Sequence, residues 1–124
     1  MAKGTSKAMA SKVTPITKNL ANAKLTPEQL VRAYREMLRA RRVDEKAIVL
    51  YKQNKCHFQI GVAGHEAAQV AMAQFLKPRH DYFYPYYRDM AIVAALGMTN
   101  EEMFLNAMNK AADPNSGGRQ MPMH

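Results

Sequence analysis

An arginine at the end of a tyrosine run is the feature of this sequence best suited to chemistry. Tyr87, Arg88 and Asp89 follow Asp81-Tyr82-Phe83-Tyr84-Pro85-Tyr86, and five of the ten aromatic residues fall between Tyr82 and Tyr87. A planar guanidinium presents paired N–H donors that match the oxygens of a phosphate. A neighbouring phenol adds a neutral donor. Two readings of Arg88 stand side by side. In one it is a phosphate-binding cation at a ligand site. In the other it closes an aromatic core strand and pairs with Asp89 or with solvent, and spacing alone favours this second reading.

Other residue types capable of chemistry are sparse. His57, His65 and His80 share no common zinc-ligand spacing, and Cys56 is the one cysteine in the chain, so no metal site is expected. Cys56 reads as an inert core or loop residue. Glu66, just after Gly64-His65, sits where a carboxylate favours the positive end of a helix, which is a stabilising role rather than a chemical one.

The elements that must position Arg88 follow from local patterns. An aromatic run favours a strand, and Pro85 limits how far that strand continues. Met90 to Leu96 is rich in helix formers and closes at Gly97, a C-terminal cap. Tyr87 and Arg88 are therefore expected at a strand-to-helix junction, with the helix N-terminus adding backbone donors. Upstream, Thr26-Pro27-Glu28-Gln29 is a capping box with proline at the first helical position. Leu30, Tyr34, Met37, Leu38, Ile48 and Tyr51 recur at helical spacing, and Arg41 and Glu45 form an expected i,i+4 pair. Asn54-Lys55 reads as a turn, His57 to Ile60 as a short extended segment, and Gly61 to Gly64 as a loop. A second helix is expected from about His65 to Leu76, stopped by Lys77-Pro78. Thr99-Asn100-Glu101-Glu102 opens another, with Met103, Phe104, Ala107 and Met108 on one face. A loop runs from Asp113 to Gly118.

Composition narrows the class. The chain has 124 residues and a formal net charge of +8, but residues 1–24 hold five lysines and no acid, so the remainder is only mildly basic. That first stretch reads as a disordered basic tail, and residues 25–124 read as one domain or part of one. One cysteine excludes an internal disulfide. No run reaches the roughly 20 apolar residues needed to span a bilayer, so a soluble, cytoplasmic protein with no membrane partner is expected. The lysine-rich tail and clustered tyrosines leave one rival of another class, a small basic module for RNA or single-stranded DNA.

Taken in order, several motifs resemble one family. Met37-Leu38 with Arg41-Arg42 and Glu45, Leu50-Tyr51, Gly64-His65-Glu66-Ala67, Tyr87-Arg88-Asp89 and Gly118-Arg119-Gln120-Met121-Pro122-Met123-His124 resemble the alpha-type N-terminal segment of thiamine-diphosphate-dependent 2-oxo acid dehydrogenases. The last motif is similar to the branched-chain (2-oxoisovalerate) type. The resemblance implies an α/β class, the N-terminal part of a thiamine-diphosphate-binding parallel-sheet fold, mostly helical in this segment. It implies oxidative decarboxylation of a branched-chain 2-oxo acid and passage of the acyl group to a lipoyl carrier. The implied partners are a beta-type subunit or region, a lipoyl acyltransferase and the 2-oxo acid, in an oligomer. Tyr87 and Arg88 would bind the cofactor diphosphate. The magnesium motif of the family, Gly-Asp-Gly followed by Asn, would lie beyond His124, and no catalytic or metal residue is expected here, so the segment alone is expected to be inactive. Gln120 and His124 lie where the family's loop nears the active-site region.

Overall fold

A computed structural model describes residues 25–124 of the protein. The expected tail, residues 1–24, lies outside them. Four helices follow in order: α1 (Pro27–Lys52), α2 (Glu66–Ala73), α3 (Met90–Ala95) and α4 (Asn100–Ala107). Both capping boxes form. The Thr26 hydroxyl accepts from Gln29 N at 3.3 Å while Gln29 Oε1 accepts from Thr26 N at 2.8 Å. Thr99 and Glu102 repeat the arrangement at 3.1 and 2.7 Å. Each cap satisfies donors that a helix end otherwise leaves open, worth about 1 kcal/mol. Gly97, at φ 117°, ends α3 as expected.

The long helix α1 is the floor on which the other three pack. Fully buried Ala40 and Ala47 on α1 and Ala91 on α3 have side chains small enough to let backbones come close. One cluster joins Val43, Val62, Met90, Ala94, Met103 and Met123, and a smaller one joins Ala40, Val70 and Ala91. Burying a methionine such as Met90 or Met103 contributes about 1.5–3 kcal/mol. The loop after α4 therefore belongs to the core, because Met123 enters the main cluster.

Three expectations need correction. The strand at Tyr82–Tyr87 does not form, and neither does any strand among the described residues. The segment nonetheless alternates: Tyr82, Tyr84 and Tyr86 are exposed while Phe83, Pro85 and Tyr87 are partly covered. This is the period-two alternation of a strand face. What is missing is a neighbour, since no described backbone group pairs with Tyr82, Phe83 or Tyr84 and a ladder needs two strands. Arg41 does not pair with Glu45. It reaches Glu66 on α2 at 2.6 Å, and Arg42 takes Glu45 at 2.9 Å. A buried carboxylate costs more to leave unpaired than an exposed one, so Glu66 claims the guanidinium. Finally, α2 ends at Ala73, short of Leu76.

Candidate functional site

The junction at Arg88 is built from a turn and one amide. Asp89 N–H donates to Tyr86 O at 2.8 Å, and Asp89 Oδ2 accepts from Tyr86 N at 3.0 Å. Gln69 on α2 then fastens the turn from outside. Its Nε2 donates to the Arg88 carbonyl at 2.7 Å and to Asp89 Oδ1 at 3.3 Å. Its Oε1 accepts from Ala91 N at 2.9 Å and Ile92 N at 3.3 Å. One side chain thus clamps the arginine's own backbone and caps the helix that follows. The other end of α3 is held by Arg39, which donates to the carbonyls of Ala94 and Met98. The helix N-terminus was expected to offer donors to a ligand, but Gln69 already uses two of them.

The side chains at the junction form an aromatic cluster around Tyr87. The Phe58 ring meets it edge-on at 5.5 Å, Tyr86 lies tilted at 4.7 Å, and His124 stacks at 6.1 Å with 20° between planes. The Arg88 guanidinium sits 5.0 Å from the Tyr87 ring centre, and its Nη1 donates to the Tyr87 hydroxyl at 3.5 Å, a long contact. The phenols of Tyr86 and then Tyr87 raise the Arg88 pKa above its ordinary value, and a guanidinium keeps its charge even at that ordinary value. No carboxylate among the described residues pairs with Arg88. The Arg88–Asp89 pairing that competed with the ligand reading is therefore not formed. Asp89 faces Gln69 and Tyr86 N instead.

The remaining candidates resolve into structural roles. Glu66 is buried, bonded through Oε1 to Arg41 at 2.6 Å and through Oε2 to Gly64 N at 2.8 Å. The Arg41 bond is the main reason its pKa falls. Cys56 is buried, and burial pushes its thiol pKa up. No three His, Cys, Asp or Glu side chains among the described residues could together hold a metal ion.

Gln120 is bonded through its backbone, its N–H reaching Ser116 Oγ at 3.3 Å and its carbonyl accepting from Asn109 at 3.3 Å. His124, by contrast, reaches the cluster. Phe58 and Gln69 escaped the sequence reading. An extended segment with one phenylalanine gives no sign of which ring it will meet, and a glutamine on a helix surface carries no motif. Their partners lie 19 to 29 positions away.

Comparison with known proteins bears on the whole segment. Residues 34–124 match the family model described as "Dehydrogenase E1 component". The 2-oxoisovalerate dehydrogenase subunit alpha of Bacillus subtilis is 50% identical over 100 residues, covering 81% of this chain and 30% of that protein. The pyruvate dehydrogenase E1 component subunit alpha of Staphylococcus aureus is 37% identical over 81 residues, 65% of this chain and 22% of its own length. The 2-oxoisovalerate dehydrogenase subunit alpha of Pseudomonas aeruginosa is 31% identical over 102 residues, 82% and 24% of the two chains. The chain thus spans under a third of each relative. No solved structure matches it.

Proposed function

The chain belongs to the dehydrogenase E1 component family, and from that premise we propose that it is the N-terminal part of the alpha component of a branched-chain 2-oxo acid dehydrogenase. The complete protein would decarboxylate a 2-oxo acid such as 2-oxoisovalerate with thiamine diphosphate and pass the acyl group to a lipoyl carrier. The 50% identity to the 2-oxoisovalerate dehydrogenase alpha subunit of Bacillus subtilis, against 37% to the pyruvate dehydrogenase alpha subunit, supports the branched-chain assignment over the pyruvate one. A beta-type subunit or region and a lipoyl acyltransferase would be its partners, in a cytoplasmic oligomer. Exposed Leu30, Tyr34, Leu38 and Met72 on α1 and α2 offer apolar area for such contacts. No helix among the described residues is long and apolar enough to cross a membrane. Nothing supports the nucleic-acid module, since the family match runs through the tyrosine cluster and the basic tail lies outside the described residues.

Within this reading Tyr87 and Arg88 hold the diphosphate. The observation that carries it is a permanent cation with its backbone clamped by Gln69 and no carboxylate partner among the described residues. Such a group fits a diphosphate, whose charge it can meet with two parallel N–H bonds. When bound, thiamine diphosphate supplies the carbanion and the electron sink for loss of carbon dioxide. The residues here bind and orient. The magnesium ligands and the groups that move protons would lie in the rest of the enzyme, which is why the segment alone is proposed to be inactive.

Arg88→Lys in the complete enzyme tests the assignment. Lysine keeps the charge but loses the planar fork, so thiamine diphosphate affinity, titrated at fixed magnesium, should fall about ten- to a hundredfold, the worth of one charge-assisted hydrogen bond. Turnover at saturating cofactor should fall far less. Parent-like affinity would remove the diphosphate from Arg88.

A further inference from the structure

The loop between α4 and His124 is tied to the tyrosine–arginine junction by one buried amide. Asn106 on α4 is fully buried, and both ends of its side chain are used. Its Nδ2 donates to Asp113 Oδ2 at 3.0 Å, and its Oδ1 accepts from Met123 N at 2.8 Å. Met123 has φ 65°, a left-handed conformation uncommon for a residue other than glycine, and its surroundings hold it there. They do so twice, through the Asn106 bond to its N–H and through a side chain that is 3% exposed in the main core cluster.

The result is the placement of the next residue. His124 lies stacked on one side of Tyr87, with Phe58 edge-on to the same ring. The imidazole makes no hydrogen bond to Tyr87, and its Nδ1 lies 3.3 Å from the Pro122 carbonyl, so the stack depends on where the loop backbone delivers the ring and its partner.

We propose that Asn106 is a positioning residue for the cofactor grip: it sets Met123 in its strained turn, so that His124 braces the Tyr87 ring against which Arg88 lies. This rests on the reading of Tyr87 and Arg88 as the diphosphate grip. A purely structural Asn106 would tie the loop down without any effect on ligand affinity, and that difference makes the two roles separable.

The experiment uses the complete enzyme carrying these residues, with two readouts. The first is hydrogen exchange of the Met123 amide in the cofactor-free protein, and the second is thiamine diphosphate affinity at fixed magnesium. Asn106→Leu should lose the protection of Met123 and weaken cofactor binding about three- to tenfold, a geometric rather than a contact loss. His124→Ala should weaken binding by a similar factor with Met123 still protected, and His124→Phe, which keeps a stacking ring, should restore it. The double variant Asn106→Leu with His124→Ala should bind no worse than the weaker single, because both act through one contact.

Parent-like affinity in Asn106→Leu despite lost protection overturns the proposal, as does a double variant whose effect is the product of the singles. Should Asn106→Leu fail to fold, the His124 pair decides alone: parent-like affinity in His124→Ala, or no restoration by phenylalanine, overturns it. Arg88→Ala separates the two readings. If it binds as the parent, the grip itself is wrong; if it binds weakly while Asn106→Leu and His124→Ala bind as the parent, only the positioning role is wrong.

Discussion

Asp113 and Arg88 carry opposite charges and meet opposite fates. Asp113 is 4% exposed and accepts from five donors: Asn106 Nδ2, Asn115 N, Ser116 N, Ser116 Oγ and Gly118 N. Arg88 has two neutral phenols beside it, Tyr86 and Tyr87, the second at a long 3.5 Å, and an aromatic face. A charge enclosed by so many donors is spent on the fold; a charge held in place but left open is free for a ligand. Asp44 shows that burial alone is not what matters. It too is buried, yet among the described residues only Gln59 at 2.7 Å and Val62 N at 3.1 Å reach it. There burial prevails and raises its pKa. At Asp113 burial also pushes upward, but bonds from Asn106, Ser116, Asn115 and Gly118 outweigh it and bring the pKa down to about 2.

The sharpest way to break this contrast is to empty the hub. Asp113→Ala should destabilise by about 3 kcal/mol or more in chemical unfolding, because it leaves several buried donors unpaired. A loss under about 1 kcal/mol would mean that water replaces the carboxylate and that the hub is no structural centre. Acid should act on the same group. Its folded pKa lies below the unfolded value, so its contribution is complete above about pH 4 and is lost as pH falls towards 2. That is worth about 2 kcal/mol, and Asp113→Asn should flatten this limb of the stability profile.

Gly118→Ala comes next. Gly118 has φ 73°, and an added Cβ would lie 2.5 Å from the Asn109 carbonyl carbon and oxygen, so a loss of about 2 kcal/mol is expected from strain and overlap together. A neutral result would show that the hub tolerates displacement. At the junction, Gln69→Leu should cost about 1–3 kcal/mol, since it strands the α3 donors, and should also loosen cofactor binding by freeing the Arg88 backbone. The smallest effect is the most telling. Arg88→Ala should change unfolding stability by less than about 1 kcal/mol, the scale of an exposed cation–π contact.

What was legible in the sequence divides along the same line as local and distant bonding. Thr26 with Gln29, Thr99 with Glu102, and Gly97 after α3 announce helix ends because their hydrogen bonds close within a few residues. The family resemblance was legible for a similar reason: its motifs are contiguous. Arg41 misled because an i,i+4 carboxylate was visible and the buried Glu66, 25 positions on, was not. Tyr82 to Tyr87 misled as well: an aromatic run was read as a strand, but a strand exists only with a partner, and no described segment supplies one. Gln69 and Asn106 were invisible. Each is a polar residue on a short helix, and its importance comes from groups 19 to 23 and 17 positions away in the chain.

Arg88 is proposed as a held and open cation that grips a diphosphate. That proposal is tested most directly by measuring thiamine diphosphate affinity and unfolding stability together in the complete enzyme with Arg88→Ala. Removing both fork and charge should weaken cofactor binding about a hundredfold or more, with stability within about 1 kcal/mol of the parent. An affinity equal to the parent's, or a loss of affinity matched by a comparable loss of stability, would contradict it and make Arg88 a structural residue of the aromatic turn.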